Sequence, residues 1–224
     1  MKVEDFDGAI FDLDGTLLDS MGVWRQIDVD FLAKREIEVP DDYQKAITPL
    51  GALEAARYTI RRFHLENDTP EGLVREWLDM AQEAYSNHLP LKPYALRFVK
   101  YLKECGLHIA VATSSDDVLV RPCLERTGLA ALLDDYCTGN DVQRGKGFPD
   151  IYLKAASAIG TDPSKTVVFE DIAEGLKGAK AGGFYTVGVY EKANYRMHSE
   201  MMEIANAFIY SFRELLPDDQ MAEE

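Results

Sequence analysis

The sequence predicts an α/β fold, a parallel sheet with helices on both faces, interrupted by an all-helical insertion. Three observations carry that prediction. Short apolar runs of strand length recur through the second half of the chain, separated by segments of helix length. Strands spaced in this way pair in parallel and are covered on both faces. Several of the runs end in acidic or small hydroxyl residues, at the carboxyl ends where open α/β sheets bind ligands. Residues 20–93 break the alternation and read as helix after helix. At 224 residues, 46% of them hydrophobic, the chain suits one large α/β domain or a core with a small inserted domain.

Taken in order, Gly8-Ala9-Ile10-Phe11 is too short and too near the N-terminus for a helix and reads as a buried strand. In the helical block, Val23, Ile27, Phe31 and Leu32 form one stripe. Leu53, Ala56, Tyr58, Ile60 and Phe63 form a second, and Leu73, Trp77, Met80, Ala81 and Ala84 a third. Pro40-Asp41-Asp42 and Asn67-Asp68-Thr69-Pro70 supply turn and N-cap signals between them. Then come a helix over 95–105, a strand over 107–112, a helix over 117–127 and a short strand over 133–137. Pro149 and Asp150 open a helix reaching 159, since proline fits the first turn and aspartate favours the positive end of the dipole. A strand over 166–169, a helix over 173–181 and a strand over 185–189 follow. Val189 and Tyr190 are expected to leave the core, with 207–210 as a last edge strand before a short helix. The tail from Pro217 to Glu224 is expected to fray.

Composition narrows the function. A formal net charge of −15 disfavours nucleic acid and anionic membranes as partners. No stretch approaches the roughly 18–20 apolar residues of a membrane span. Met1-Lys2-Val3-Glu4-Asp5 runs straight into the first strand, which predicts no signal peptide. Cys105, Cys123 and Cys137 are odd in number and lack metal-ligand spacing, so they read as buried or semi-buried reduced thiols of a cytoplasmic protein. The acidic balance does not exclude a phosphorylated substrate, because charges beyond about 8 Å are screened at physiological salt and the ions of the site decide. There is no internal repeat and no low-complexity segment.

Asp12 and Asp14 carry the strongest chemical signal. Residues i and i+2 of an extended chain face the same side, so the two carboxylates are expected to converge just past the strand tip. Gly15 then allows a sharp turn and lets a ligand approach the main chain. Converged carboxylates repel and are costly to desolvate unless a divalent cation or a shared proton compensates. The pair therefore suggests a Mg²⁺ site in which one carboxylate also serves as nucleophile. For the D-x-D pattern alone, an acidic turn on a solvated surface is the alternative.

Four stretches together resemble the haloacid dehalogenase superfamily. Phe11-Asp12-Leu13-Asp14-Gly15-Thr16-Leu17 resembles its first motif, D-x-D-G-T-L. Val111-Ala112-Thr113-Ser114-Ser115 ends a strand in small hydroxyl residues, like the second. Lys146 in Gly145-Lys146-Gly147-Phe148-Pro149-Asp150-Ile151-Tyr152 is similar to the third, K-x-x-P-D-x-[FY]. Val167-Val168-Phe169-Glu170-Asp171, followed by Glu174-Gly175 and Ala179-Lys180-Ala181-Gly182, resembles the fourth. One departure is Gly147, where relatives commonly carry proline directly after the lysine; the spacing from Lys146 to Pro149 is kept.

The resemblance implies a Rossmann-like catalytic core from 1–19 and 94–224 and a small helical cap from 20–93, with hinges near 18–21 and 89–94. It implies Asp12 as nucleophile toward a phosphate monoester and Asp14 as acid, then base, with a raised pKa. Mg²⁺ is expected on Asp12, the backbone carbonyl of Asp14 and Asp171, with Glu170 acting through a water or orienting a ligand. Thr113, the Ser114 N–H and Lys146 are expected to bind phosphate oxygens. The expected activity is a Mg²⁺-dependent phosphatase acting on a small phosphorylated metabolite through an aspartyl-phosphate, as a cytoplasmic monomer. A phosphohexose mutase of the β-phosphoglucomutase type shares all four motifs, but its cap phosphate-binding segment is not found over 46–56. A dehalogenase would not need this set of charged residues, and a non-catalytic module would not need Asp12 and Asp171. In the cap, Trp24 and Arg25 are the first candidates for specificity. The basic stretch Arg57, Arg61, Arg62 and His64 reads as solvated helix surface. His64 and His88 have no partner pattern that would make them ligands. Lys34 and Lys45, the cap lysines before Lys92, match no Schiff-base context. The substrate itself, whether sugar phosphate, nucleotide, phosphoglycolate or cofactor precursor, is open.

Overall fold

Four apolar residues form the first strand, β1 (Gly8–Phe11), in a computed structural model that describes residues 2–47, 50 and 52–220. The helices α1 (Val23–Ala33), α2 (Tyr43–Ile47), α3 (Ala52–Phe63) and α4 (Pro70–Asn87) follow without a strand among them. Alternation then sets in with α5 (Ala95–Glu104), β2 (His108–Ala112), α6 (Asp117–Thr127), β3 (Asp135–Cys137) and α7 (Asp150–Ala158). It continues through β4 (Thr166–Glu170), α8 (Ala173–Ala181), β5 (Tyr185–Val189), α9 (His198–Ile204) and β6 (Ala207–Ile209).

The six strands make one parallel sheet in the order β3-β2-β1-β4-β5-β6. β1 lies inside it, pairing Ala9 with Ile109 on one side and with Val167 on the other. Its four residues are all buried, as a strand with helices on both faces requires. Successive side chains point to opposite faces. Phe11 stacks on Phe169 with ring centres 4.6 Å apart, and Phe98 and Phe212 close that aromatic cluster. Ile10 joins the cluster of Ala110, Val168, Tyr152, Ala155 and Phe184.

The chain divides into two compact units, Met1–Met21 with Leu89–Glu224, and Gly22–His88. In the first, the segments on either side of the insertion run antiparallel. Leu18 bridges Leu91, Asp19 N donates to Pro90 O at 3.0 Å and Lys92 N donates to Leu17 O at 2.8 Å. In the second, Phe31 meets Trp77 edge to face, and Arg35 ties Asp68 and Glu76. Thr69 caps α4 by accepting from Gly72 N at 3.1 Å, with Pro70 in the first turn.

Several expectations are corrected. On α3 the buried residues are Ala55, Ala56 and Thr59, while Leu53 is exposed. Thr59 is held by the Tyr43 hydroxyl and the Ala55 carbonyl, so two hydrogen bonds bury a polar side chain that an apolar stripe does not count. Tyr85 extends the α4 stripe, and α2 was not expected. Val189 stays buried. The segment after it forms a 3-10 turn, Lys192–Met197, and α9, neither expected, because its polar residues hide the one apolar anchor, Met201. Cys105 is exposed; Cys123 and Cys137 are buried, and all three thiols are free. Asp218–Gln220 is not frayed but forms a 3-10 turn, with Arg97 donating to Gln220 O at 3.2 Å. Residues 221–224, Met1, positions 48, 49 and 51 of the 46–56 segment, and the Lys45 side chain lie outside the described residues. No helix among the described residues is long and apolar enough to cross a membrane.

Candidate active site

The parallel register sets up the site. Phe11 is paired with Phe169, and Asp12 N donates to Phe169 O at 2.9 Å, so the residues that follow the two strands emerge side by side. Asp12, Glu170 and Asp171 each offer a carboxylate oxygen, and these lie within 4.8 Å of one another, all buried. Lys146, itself buried, reaches Asp12 Oδ1 and Glu170 Oε1 with its ammonium group. Tyr152 donates its hydroxyl to Glu170 Oε1 at 2.7 Å, while Glu170 Oε2 has no hydrogen-bond partner although it is buried.

Three carboxylates thus face one ammonium group in a buried site. Burial pushes the Asp12 carboxyl up to about 7, with Lys146 opposing and Glu170 and Asp14 adding to the rise. Burial, then Asp12 and Glu170, hold Asp171 well above the usual carboxylate range. Burial also opposes the charge on Lys146, but the Asp12 and Glu170 carboxylates outweigh it and keep the ammonium above its ordinary range. The excess negative charge and the orphaned Glu170 Oε2 are what a hard divalent cation with oxygen ligands would relieve, so the residues fit Mg²⁺.

Glu170 and Asp171, at the end of β4, join Asp12 in one cluster, while Asp14 adds like charge to it from the turn after β1. The chain turns at Leu13, whose side chain is fully buried, so positions 12 and 14 do not continue an extended strand. The Asp14 carboxylate accepts from Ser115 Oγ at 2.7 Å. Gly15 adopts φ +84°, and a Cβ there would stand 2.2 Å from Asp171 Oδ2, so the turn requires glycine on both counts. At Gly147 a Cβ would stand 2.7 Å from the end of the exposed Glu174 side chain, which can swing aside, so the structure gives this departure no cause.

At the tip of β2, Thr113 is buried, its N–H continues the ladder to Cys137 O, and its Oγ1 accepts from Ser115 N at 3.1 Å. Ser114 and Lys146 both line a cavity of about 220 Å³, with Gln143, Arg144 and Ile151 among the other walls. The strand tips therefore bring Asp12, Glu170, Asp171 and Lys146 together, with Ser115 holding Asp14. In the helical unit, Trp24 is exposed and Arg25 lines a separate cavity with Val29, Ile37 and Gln44. Arg62 pairs with Asp42, and Arg57 with Glu54. Sequence reasoning missed the roles of Ser115, Tyr152 and Asn194. Ser115 and Tyr152 stood inside quoted motifs, whereas Asn194 stands in none; its amide donates to Asp171 Oδ2 at 2.7 Å.

A parallel α/β core with acidic strand tips and a helical insertion after the first strand defines a class, and comparison with known proteins agrees. The model of haloacid dehalogenase-like hydrolases matches residues 6–183, and the chain belongs to that family. It is 30% identical over 187 residues to validoxylamine A 7'-phosphate phosphatase of Streptomyces hygroscopicus subsp. limoneus, covering 81% of this chain and 84% of that one. It is 28% identical over 196 residues to a phosphorylated carbohydrates phosphatase of Thermotoga maritima, covering 84% and 87%. Among solved structures, CbbY of Rhodobacter sphaeroides in complex with phosphate shares the fold at TM-score 0.73 and 22% identity, covering 97% of this chain and 100% of that one. The chain is an enzyme of the hydrolase class, and these curated relatives are, by name, phosphatases acting on phosphoric monoesters.

Proposed function

We propose that the protein is a Mg²⁺-dependent phosphatase that hydrolyses a small phosphorylated carbohydrate or polyol through an aspartyl-phosphate on Asp12. The observation that carries this reading is the buried Asp12, Glu170 and Asp171 cluster with Lys146 reaching into it. Asp12 attacks phosphorus, the ester P–O bond breaks, and Asp14 gives its proton to the departing alkoxide. Asp14 then takes a proton from the water that opens the acyl phosphate, returning Asp12 to a carboxylate. Thr113, the Ser114 N–H and Lys146 hold the phosphoryl oxygens in line. Asp12, Asp171 and the Asp14 carbonyl, with Glu170 beside them, would hold a divalent cation, and such a cation would offset the repulsion between an anionic nucleophile and an anionic phosphoryl group.

The substrate class rests on the relatives, which by name include hexitol phosphatases and a phosphorylated carbohydrates phosphatase. The helical unit serves in this reading as the cap that selects the substrate, with Trp24 and Arg25 as its first contacts. The protein works as a cytoplasmic monomer without nucleic acid or membrane. The test is phosphate release from a panel of hexose, hexitol and pentose phosphates, with Mg²⁺ and with EDTA. Release that needs Mg²⁺ supports the reading. Interconversion of hexose 1- and 6-phosphates without net release would instead identify a mutase, and no turnover of any ester would refute both.

A further inference from the structure

Asn194 lies in the 3-10 turn Lys192–Met197, beyond residue 183 where the family match ends. Its amide nitrogen donates to Asp171 twice, to Oδ2 at 2.7 Å and to the backbone carbonyl at 3.1 Å. A donor that grips side chain and main chain of one residue fixes that side chain's rotation. The contact to the other carboxylate oxygen, from Thr16 Oγ1, is long at 3.5 Å. Asp171 has particular need of such a hold, because Asp12 and Glu170 crowd it with like charge. An amide supplies the hold without neutralising the carboxylate, so the negative charge stays available to a cation.

The turn that carries Asn194 is itself anchored. Asn194 N donates to Glu191 O at 3.0 Å, and Glu191 Oε1 accepts from Ala193 N at 3.0 Å. Glu191 Oε2 pairs with Lys92 Nζ at 2.7 Å, and that ammonium also donates to Tyr190 O at 2.9 Å. The Glu191 and Lys92 side chains are only 8% and 14% exposed, so salt screens this pair little.

We propose that Asn194 is a positioning residue that presets Asp171 for a divalent cation, braced by the Lys92–Glu191 pair. The proposal rests on the reading of the carboxylate cluster as a Mg²⁺ site. Partners of metal-ligating carboxylates typically change metal affinity by about 10–100-fold when removed.

The test uses the full chain, with Mg²⁺ alone as calorimetric titrant and Mn²⁺ binding followed by paramagnetic resonance. Asn194→Ala removes the amide, and Asn194→Leu keeps its bulk without a donor. Both are expected to weaken cation binding at least about tenfold, while melting in EDTA stays at the parent's temperature, since Asn194 is only half-buried. At saturating Mg²⁺ the KM for a phosphorylated substrate should be restored. Affinity within twofold of the parent in either variant would overturn the proposal. So would weakened binding that only tracks a fall in EDTA melting, which would mean the turn is merely structural. A parent chain that binds no Mg²⁺ would bring down the reading of the cluster and this proposal with it. A parent that binds normally beside unaffected variants would remove Asn194 alone.

Discussion

Ser115 Oγ donates to Asp14 Oδ2 at 2.7 Å, joining the tip of β2 to the turn after β1 across 101 positions of sequence. That hydrogen bond fixes the direction of the carboxyl that gives and takes the proton. Ser115→Ala should therefore lower kcat about tenfold while leaving KM near its parent value, since a donor to a charged group is worth about 1.5 kcal/mol or more. Steady-state kinetics on one phosphorylated substrate decide it. A change confined to KM would place Ser115 in binding rather than in holding Asp14.

Asp12→Asn keeps the shape of the side chain but removes the nucleophile. Turnover should fall by about a thousandfold or more, with melting close to the parent's because Lys146 retains Glu170 as a partner. Residual activity near the parent's would rule Asp12 out.

Chelation tests the cluster as a whole. EDTA should abolish phosphate release and Mg²⁺ restore it, while Ca²⁺ should inhibit. Calcium takes more ligands at longer distances and would displace the carboxylate that magnesium aligns. Activity that survives exhaustive chelation contradicts the metal assignment.

Asp28 in the helical unit carries a pH dependence of its own. It is buried, Gln44 donates to it, and burial pushes its carboxyl up to about 6. The neutral form is the one the fold prefers. Its stabilisation is therefore complete below the unfolded pKa of about 3.9 and is lost as pH rises through about 6. Asp28→Asn should be more stable than the parent by about 2 kcal/mol at pH 7 and equal to it near pH 4. Thermal melts at the two pH values measure the difference; an equal gap at both would show that charge burial is not the cause.

The parallel core was legible because each strand is a short apolar run whose end is marked by chemistry. Gly8–Phe11, Tyr185–Val189 and the helix Ala173–Ala181 lie where the pattern puts them. The stretch from Lys192 to Ile204 was not legible, since its one buried apolar residue, Met201, gives no period. Thr59 was missed for a different reason: a polar side chain buried by two hydrogen bonds breaks the stripe on which helix-face reasoning depends. At the site, residues inside a motif announce their chemistry. The pairing of Asp12 with Glu170 and Asp171 does not appear in the spacing of D-x-D, because it comes from the register between β1 and β4. Asn194 reaches Asp171 from 23 positions away through a turn with no motif of its own.

The antiparallel pairing of Leu18 with Leu91, with hydrogen bonds on either side of it, gives the sheet-bearing unit a closed seam where the insertion begins and ends. The backbone groups of Leu17, Asp19, Pro90 and Lys92 are satisfied within that seam. The insertion is thus a cassette on a two-strand handle. Replacing residues 22–88 with a tight hairpin turn should leave a folded catalytic scaffold, and exchange of whole cassettes between relatives is a route to new substrate preference that leaves the chemistry at the strand tips intact.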